Sequence, residues 1–222
     1  MSHDEPTNFL YPFIDAQQAN PESLLADLAA SAQAKAAESL ALRRSTLDAN
    51  AELLEQTGAQ MAARFAAGGR LFTFGNGGSC TDSTTVAALF SRPPTGKPLP
   101  AWSLTADQAI VTALGNDVGF DLVFARQLIA RAKPGDIAIA MSTSGNSSNL
   151  LAALAEARLR GLYTVGFAGY DGGAFVDNAN VDVCFVVCSQ SVHRIQESQA
   201  LLSYELWLAT QKRSDGQGLG AA

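Results

Sequence analysis

The sequence predicts a three-layer α/β fold built on a parallel sheet, and three observations predict it. From Gly68 onward, short apolar runs alternate with helical patterns. Several of those runs are apolar throughout, as strands covered on both faces are. Two loops rich in glycine and serine, Gly75–Ser79 and Ser142–Ser147, each stand between such a run and a helical pattern, where α/β proteins place their ligand crevice.

Size and charge bound what the fold can do. The 222 residues are 47% apolar, enough for a packed core in one domain. The net charge of −6 repels nucleic-acid phosphates, and no Lys/Arg stripe offsets it, so no direct nucleic-acid partner is expected. An anionic ligand must then be held by local dipoles and hydroxyls. Cys80, Cys184 and Cys188 fit no zinc-knuckle spacing, and their odd number suits a reducing, cytoplasmic compartment. No basic-then-apolar leader and no long apolar run appear, so neither a signal peptide nor a membrane partner is expected.

Residues 1–20, with Pro6 and Pro12, read as an N-terminal arm. Residues 21–67 carry leucines at helical spacing, from Leu24 to Leu54, and predict a helical hairpin turning near Arg43–Ser45, with Ser45 or Thr46 as second cap. Such a hairpin cannot bury both apolar faces alone and must pack on the main domain or on another subunit.

Residues 68–211 form the main domain. Arg70–Phe74 is β-prone between glycines, and a helix opens after Gly78 and runs through Val86–Phe90. Ala101–Leu104 is the next strand, followed by helices over Asp107–Leu114 and Leu122–Ala132. Asp136–Met141 is an apolar strand and Asn149–Arg160 a helix stopped by Gly161. Tyr163–Phe167 and Val181–Val187 are the last strands, and Val192–Gln211 closes the fold. Residues 212–222 are polar and glycine-rich and predict a disordered tail.

The two loops carry the chemistry. Gly75-Asn76-Gly77-Gly78-Ser79 lets backbone approach a ligand and aims helix amides at an anion. It is neither the dinucleotide fingerprint, which needs Gly where Cys80 stands, nor a Walker loop, which needs Gly-Lys-Ser/Thr. Ser142-Thr143-Ser144-Gly145-Asn146-Ser147 offers hydroxyls before a helix N-terminus, more than a cap alone requires, and suits a phosphate.

These loops, with Leu114-Gly115-Asn116-Asp117, Gly169-Tyr170-Asp171-Gly172-Gly173 and Arg194-Ile195-Gln196-Glu197, resemble the sugar isomerase (SIS) family over roughly residues 40–211. The resemblance is to its phosphoheptose isomerase group, which also includes an initiator-associating factor of bacterial replication. It implies a flavodoxin-like sheet, a homotetramer packed through the N-terminal helices, and a phosphorylated sugar such as sedoheptulose 7-phosphate as ligand. By that resemblance Gly77, Gly78, Ser79, Ser142, Thr143, Ser144 and Ser147 hold the phosphate, while Asn76, Asn116, Asp117 and Gln196 line the sugar.

The resemblance also implies a zinc site and an acid–base pair, and there this chain departs from the pattern. The family His and Glu on the helix after the glycine loop fall on Thr85 and Leu89, and a later His falls on Tyr204; only Gln196 is kept. Leu89 has no proton to exchange and Thr85 is a poor zinc ligand, so no metal and no cofactor are expected. Glu197 and His193 are the candidate substitutes for acid–base work, Glu197 lying about 100° around the helix from Gln196. Asp82 suits the helix dipole, and Tyr204 reads as a core aromatic. Two functions remain open: a sugar-phosphate-binding protein without the usual zinc-dependent catalysis, which the lost side chains favour, or an active phosphoheptose or related phosphosugar isomerase with relocated groups.

Overall fold

The computed structural model describes residues 21–216, with side chains from 24 to 214. The expected arm 1–20 and residues 217–222 of the expected tail lie outside the described residues. The chain divides into two units, Met1–Ala41 and Leu42–Ala222. The second unit carries the α/β fold.

Helix α1 runs unbroken over Pro21–Ala66, which corrects the expected hairpin. The physical reason is local. No glycine or proline interrupts residues 22–57, and the Ser45 hydroxyl donates back to the Leu42 carbonyl at 3.0 Å instead of capping a new helix. Strand β1 (Leu71–Gly75), α2 (Gly78–Ser91), β2 (Ala101–Ser103), α3 (Gln108–Asp117) and α4 (Val123–Arg131) follow. Then come β3 (Ile137–Met141), α5 (Ser148–Leu159), β4 (Tyr163–Gly169), β5 (Val183–Val187) and α6 (Val192–Gly216). Single 3-10 turns precede α4 and follow β4. Helix α6 continues five residues past Gln211, so the first part of the expected tail is helical, with Ser214 bonded to the Thr210 carbonyl at 3.0 Å.

The five strands are parallel in the order β2-β1-β3-β4-β5. Gly75 pairs with Met141, so the two loops leave neighbouring strands at the same level. Alternation persists inside the apolar strands. Ile137, Ile139 and Met141 face a layer made by α2, α6 and the second half of α1, with Met61, Phe90, Leu202 and Trp207 at its centre. Ala138 and Ala140 face α4 and α5, against Phe124, Leu128, Leu150 and Leu154. The small alanines let α5 sit close to the sheet, and that places its amino end beside β1.

Candidate functional site

The chain order reverses between β1 and β3, and the crevice opens beyond their carboxyl ends. Gly77, at φ 55°, turns the chain into α2, and Ser147 starts α5; neither helix has a side-chain cap on its first amides. Both helix amino ends are therefore open to an acceptor from outside.

The loops are joined side to side. Asn76 donates to Asn149 Oδ1 at 2.8 Å, and Asn149, buried in the first turn of α5, donates back to Asn76 Oδ1 at 3.0 Å. Ser79 and Ser142 are buried. The Ser142 hydroxyl accepts the Gly145 amide at 2.9 Å and the Ser144 hydroxyl accepts the Asn146 amide at 3.3 Å, so these serines shape the loop while keeping a proton to donate. The Gly169 amide donates to the Thr143 carbonyl at 2.9 Å. Asn116 and Asp117 sit exposed at the end of α3, bonded to each other at 2.7 Å.

Helix α6 holds both loops. Gln196 donates to Asp82 Oδ2 at 2.9 Å, and its side chain occupies the space a Cβ on Gly78 would fill. One turn later Gln199, fully buried, donates to the Ser142 carbonyl at 2.7 Å, and its Oε1 is buried without a partner. Ile195, just before Gln196, packs where a side chain on Gly169 would stand. Burial raises the Asp82 pKa from its ordinary 3.8, and the Gln196 hydrogen bond partly opposes the rise.

Glu197 pairs with Arg43 of α1 at 3.0 Å, both half-exposed, and His193 is exposed in the first turn of α6. Sequence inspection passed over Asn149 and Gln199. Asn149 stands at a helix start, where a polar residue is ordinary. Gln199 interrupts the buried stripe Ile195–Leu202, and that interruption was the available signal.

The residues at the implied zinc positions do not fit the metal. Thr85 is exposed and its hydroxyl bonds to the Thr81 carbonyl at 3.1 Å. Leu89 packs against the core, whereas Tyr204, expected as a core aromatic, is 42% exposed and lies tilted on Trp207, ring centres 5.3 Å apart. Gln196 is the one amide left. Among the described residues no three His, Cys, Asp or Glu side chains cluster as metal ligands.

A doubly wound parallel sheet with open helix amino ends and hydroxyl loops at its switch point defines a class of proteins that bind anionic small molecules. Comparison with known proteins narrows the class. Residues 36–169 match the SIS domain model. A phosphoheptose isomerase from Roseiflexus sp. (strain RS-1) is 42% identical over 163 residues, 72% of this chain and 81% of that one. Another, from Solidesulfovibrio magneticus, is 43% identical over 175 residues, 76% and 82% of the two chains. The solved phosphoheptose isomerase of Neisseria gonorrhoeae superposes with a TM-score of 0.76 at 32% identity, covering 83% of this chain and 99% of that one. This chain belongs to the SIS-domain family, in its phosphoheptose isomerase-like group. No described helix is long and apolar enough to cross a membrane.

Proposed function

We propose that this chain holds an aldose or ketose phosphate in the crevice beyond β1 and β3 and does so without zinc-dependent catalysis. The observation that carries the proposal is the reciprocal Asn76–Asn149 pair, which joins the glycine loop to the amino end of α5. It sets two uncapped helix starts and the Ser142–Ser147 hydroxyls around one crevice. A phosphate fits such a set because each oxygen finds an amide or hydroxyl donor. Asn116, Asp117 and Gln196 are assigned to the sugar by family resemblance. The exposed Leu25, Leu28 and Leu40 of α1 support a homo-oligomer built through that helix.

A second reading is an active phosphosugar isomerase whose proton transfer uses other side chains. Relatives at 42–43% identity named phosphoheptose isomerase favour it. So does Asp82, a carboxyl whose pKa is raised beside Gln196 and which is therefore a better-matched proton carrier near neutrality than an ordinary aspartate. Calorimetry with sedoheptulose 7-phosphate and a coupled turnover assay, each with and without zinc or chelator, separates the two. Binding without turnover supports the first reading. Turnover that survives the chelator supports the second, and turnover that needs zinc overturns both.

A further inference from the structure

The loop Ser142–Ser147 can present donors to the crevice because its acceptors are engaged elsewhere, and one turn engages most of them. We propose that residues 169–174, the turn after β4, are a positioning element for the phosphate. They hold the loop's oxygens away from the anion, and Gly145, Asn146 and Gly173 thereby act on affinity without touching the ligand. The proposal rests on the phosphosugar reading above.

The oxygen side of the loop is taken up residue by residue. The Ser142 carbonyl accepts the Gln199 amide at 2.7 Å. The Thr143 carbonyl accepts the Gly169 amide at 2.9 Å. The Ser144 carbonyl lies so close to Gly173 that a Cβ there would collide with it. Asn146 Oδ1 accepts the Ala174 amide at 2.8 Å. All of these partners except Gln199 belong to the turn. The contact is mutual, since a Cβ on the buried Gly145 would collide with the Gly172 carbonyl. The nitrogen side is left over. Among the described residues the Thr143, Ser144 and Ser147 amides have no acceptor. Neighbouring amides whose carbonyls are engaged elsewhere make a concavity that suits an anion.

The turn holds a conformation that a plain link out of β4 does not require. Among the described residues Tyr170 is the one non-glycine at positive φ, 55°, and Gly172 and Gly173 follow at 95° and 54°. Such a residue persists only where its surroundings over-determine it. Here the Gly172 amide donates to the Gly169 carbonyl at 2.8 Å and the Gly173 amide to Asp171 Oδ1 at 3.1 Å. The half-buried Tyr170 packs on the core, and Phe175, fully buried, anchors the end of the turn. A rigid turn locked onto a binding loop spares the ligand the cost of ordering that loop.

The test is calorimetry on the full chain with sedoheptulose 7-phosphate and glucose 6-phosphate, for the parent, Asn146→Ala and Gly173→Ala. Asn146→Ala, at an exposed position, leaves the Ala174 amide without its acceptor. It should weaken each probe that the parent binds by about fivefold, the worth of one hydrogen bond. Gly173→Ala presses on the Ser144 carbonyl and should weaken them further; if it does not fold, Asn146→Ala decides alone. The factor should be the same for both sugars, because the phosphate is what they share. Asp136→Ala, at the other end of the sheet, is the stability control. It should lower the melting temperature more than Asn146→Ala does and leave affinity unchanged. Unchanged affinity in Asn146→Ala, losses that differ between the two sugars, or a matching loss in folded Asp136→Ala overturns the positioning role and leaves the phosphosugar reading standing. No binding of either probe by the folded parent overturns both.

Discussion

At the amino end of the sheet, turns between helix and strand are closed on themselves. At the carboxyl end, the turns after β1 and β3 are left open. The buried Asp136 carboxylate takes the Arg70 amide at 2.9 Å, the Lys133 amide at 2.8 Å and the Arg70 guanidinium at 2.8 Å. That guanidinium also donates to the Arg131 carbonyl at 2.6 Å. One acidic side chain thus ties β1, β3 and the α4 turn together. Across the sheet, α2 and α5 start without side-chain caps and Gln199 keeps an unpaired buried oxygen. A closed turn spends its hydrogen-bonding groups on the fold, and an open one keeps them for a ligand.

The largest expected effect breaks the closed end. Asp136→Ala leaves the Arg70 guanidinium and two amides without their acceptor and should cost about 3 kcal/mol of stability, read from the urea midpoint at unchanged slope. Phosphosugar affinity should hold as long as the protein is folded. An equal loss at both ends would mean that the two are not separable.

Gln199→Leu attacks the open end from behind. It orphans the Ser142 carbonyl, at about 2 kcal/mol, and should loosen residues 142–147. Amide hydrogen exchange of that loop should rise, and phosphosugar affinity should fall about tenfold beyond what stability explains. Ser203→Ala is the control: it lies on the same buried face and bonds to the Gln199 carbonyl at 2.7 Å. If both variants change loop exchange alike, Gln199 is only a packing residue.

Removing a single donor is milder. Ser147→Ala and Ser144→Ala should each weaken phosphosugar binding by about fivefold, the worth of one net hydrogen bond of ~1 kcal/mol. The melting temperature without ligand should stay nearly constant. A larger drop in stability than in affinity would assign these hydroxyls to the fold.

The smallest effect is a pH dependence at Asp82. Its folded pKa lies above its ordinary 3.8 because burial disfavours the charged form. The folded state therefore holds the proton more tightly than the unfolded state. Stability from this group is full below the ordinary value and falls as pH rises through the folded value. Asp82→Asn keeps an acceptor for Gln196 and removes that titration. It should be slightly more stable than the parent at neutral pH, with the gain vanishing in acid, as thermal melts across pH would show. A gain that persists in acid would place the cause elsewhere.

Part of this contrast was legible in the sequence. The open loops announce themselves by glycine, asparagine and hydroxyl residues packed into five or six positions, and strand–helix alternation puts them at strand ends. That Thr85, Leu89 and Tyr204 are poor zinc ligands could also be seen, because it is a chemical fact about single residues. The hairpin expected near Ser45 was misjudged because serine can cap a helix or bond back within one, and spacing does not distinguish the two. The Asn76–Asn149 pair spans 73 residues and the Gln199–Ser142 bond 57. Neither has a periodic signature.

By itself the sequence determined what is local: apolar runs that can only be buried strands, loops whose glycines and hydroxyls suit an anion, and side chains at Thr85, Leu89 and Tyr204 that suit no zinc ion. Tertiary structure alone decided which of those groups meet. The register Gly75–Met141 sets the two loops level, and α6 brings Gln196 and Gln199 against both. The physical reason is that a hydrogen-bonding group has many possible partners along a chain, and packing selects among them only once distant segments have been brought together.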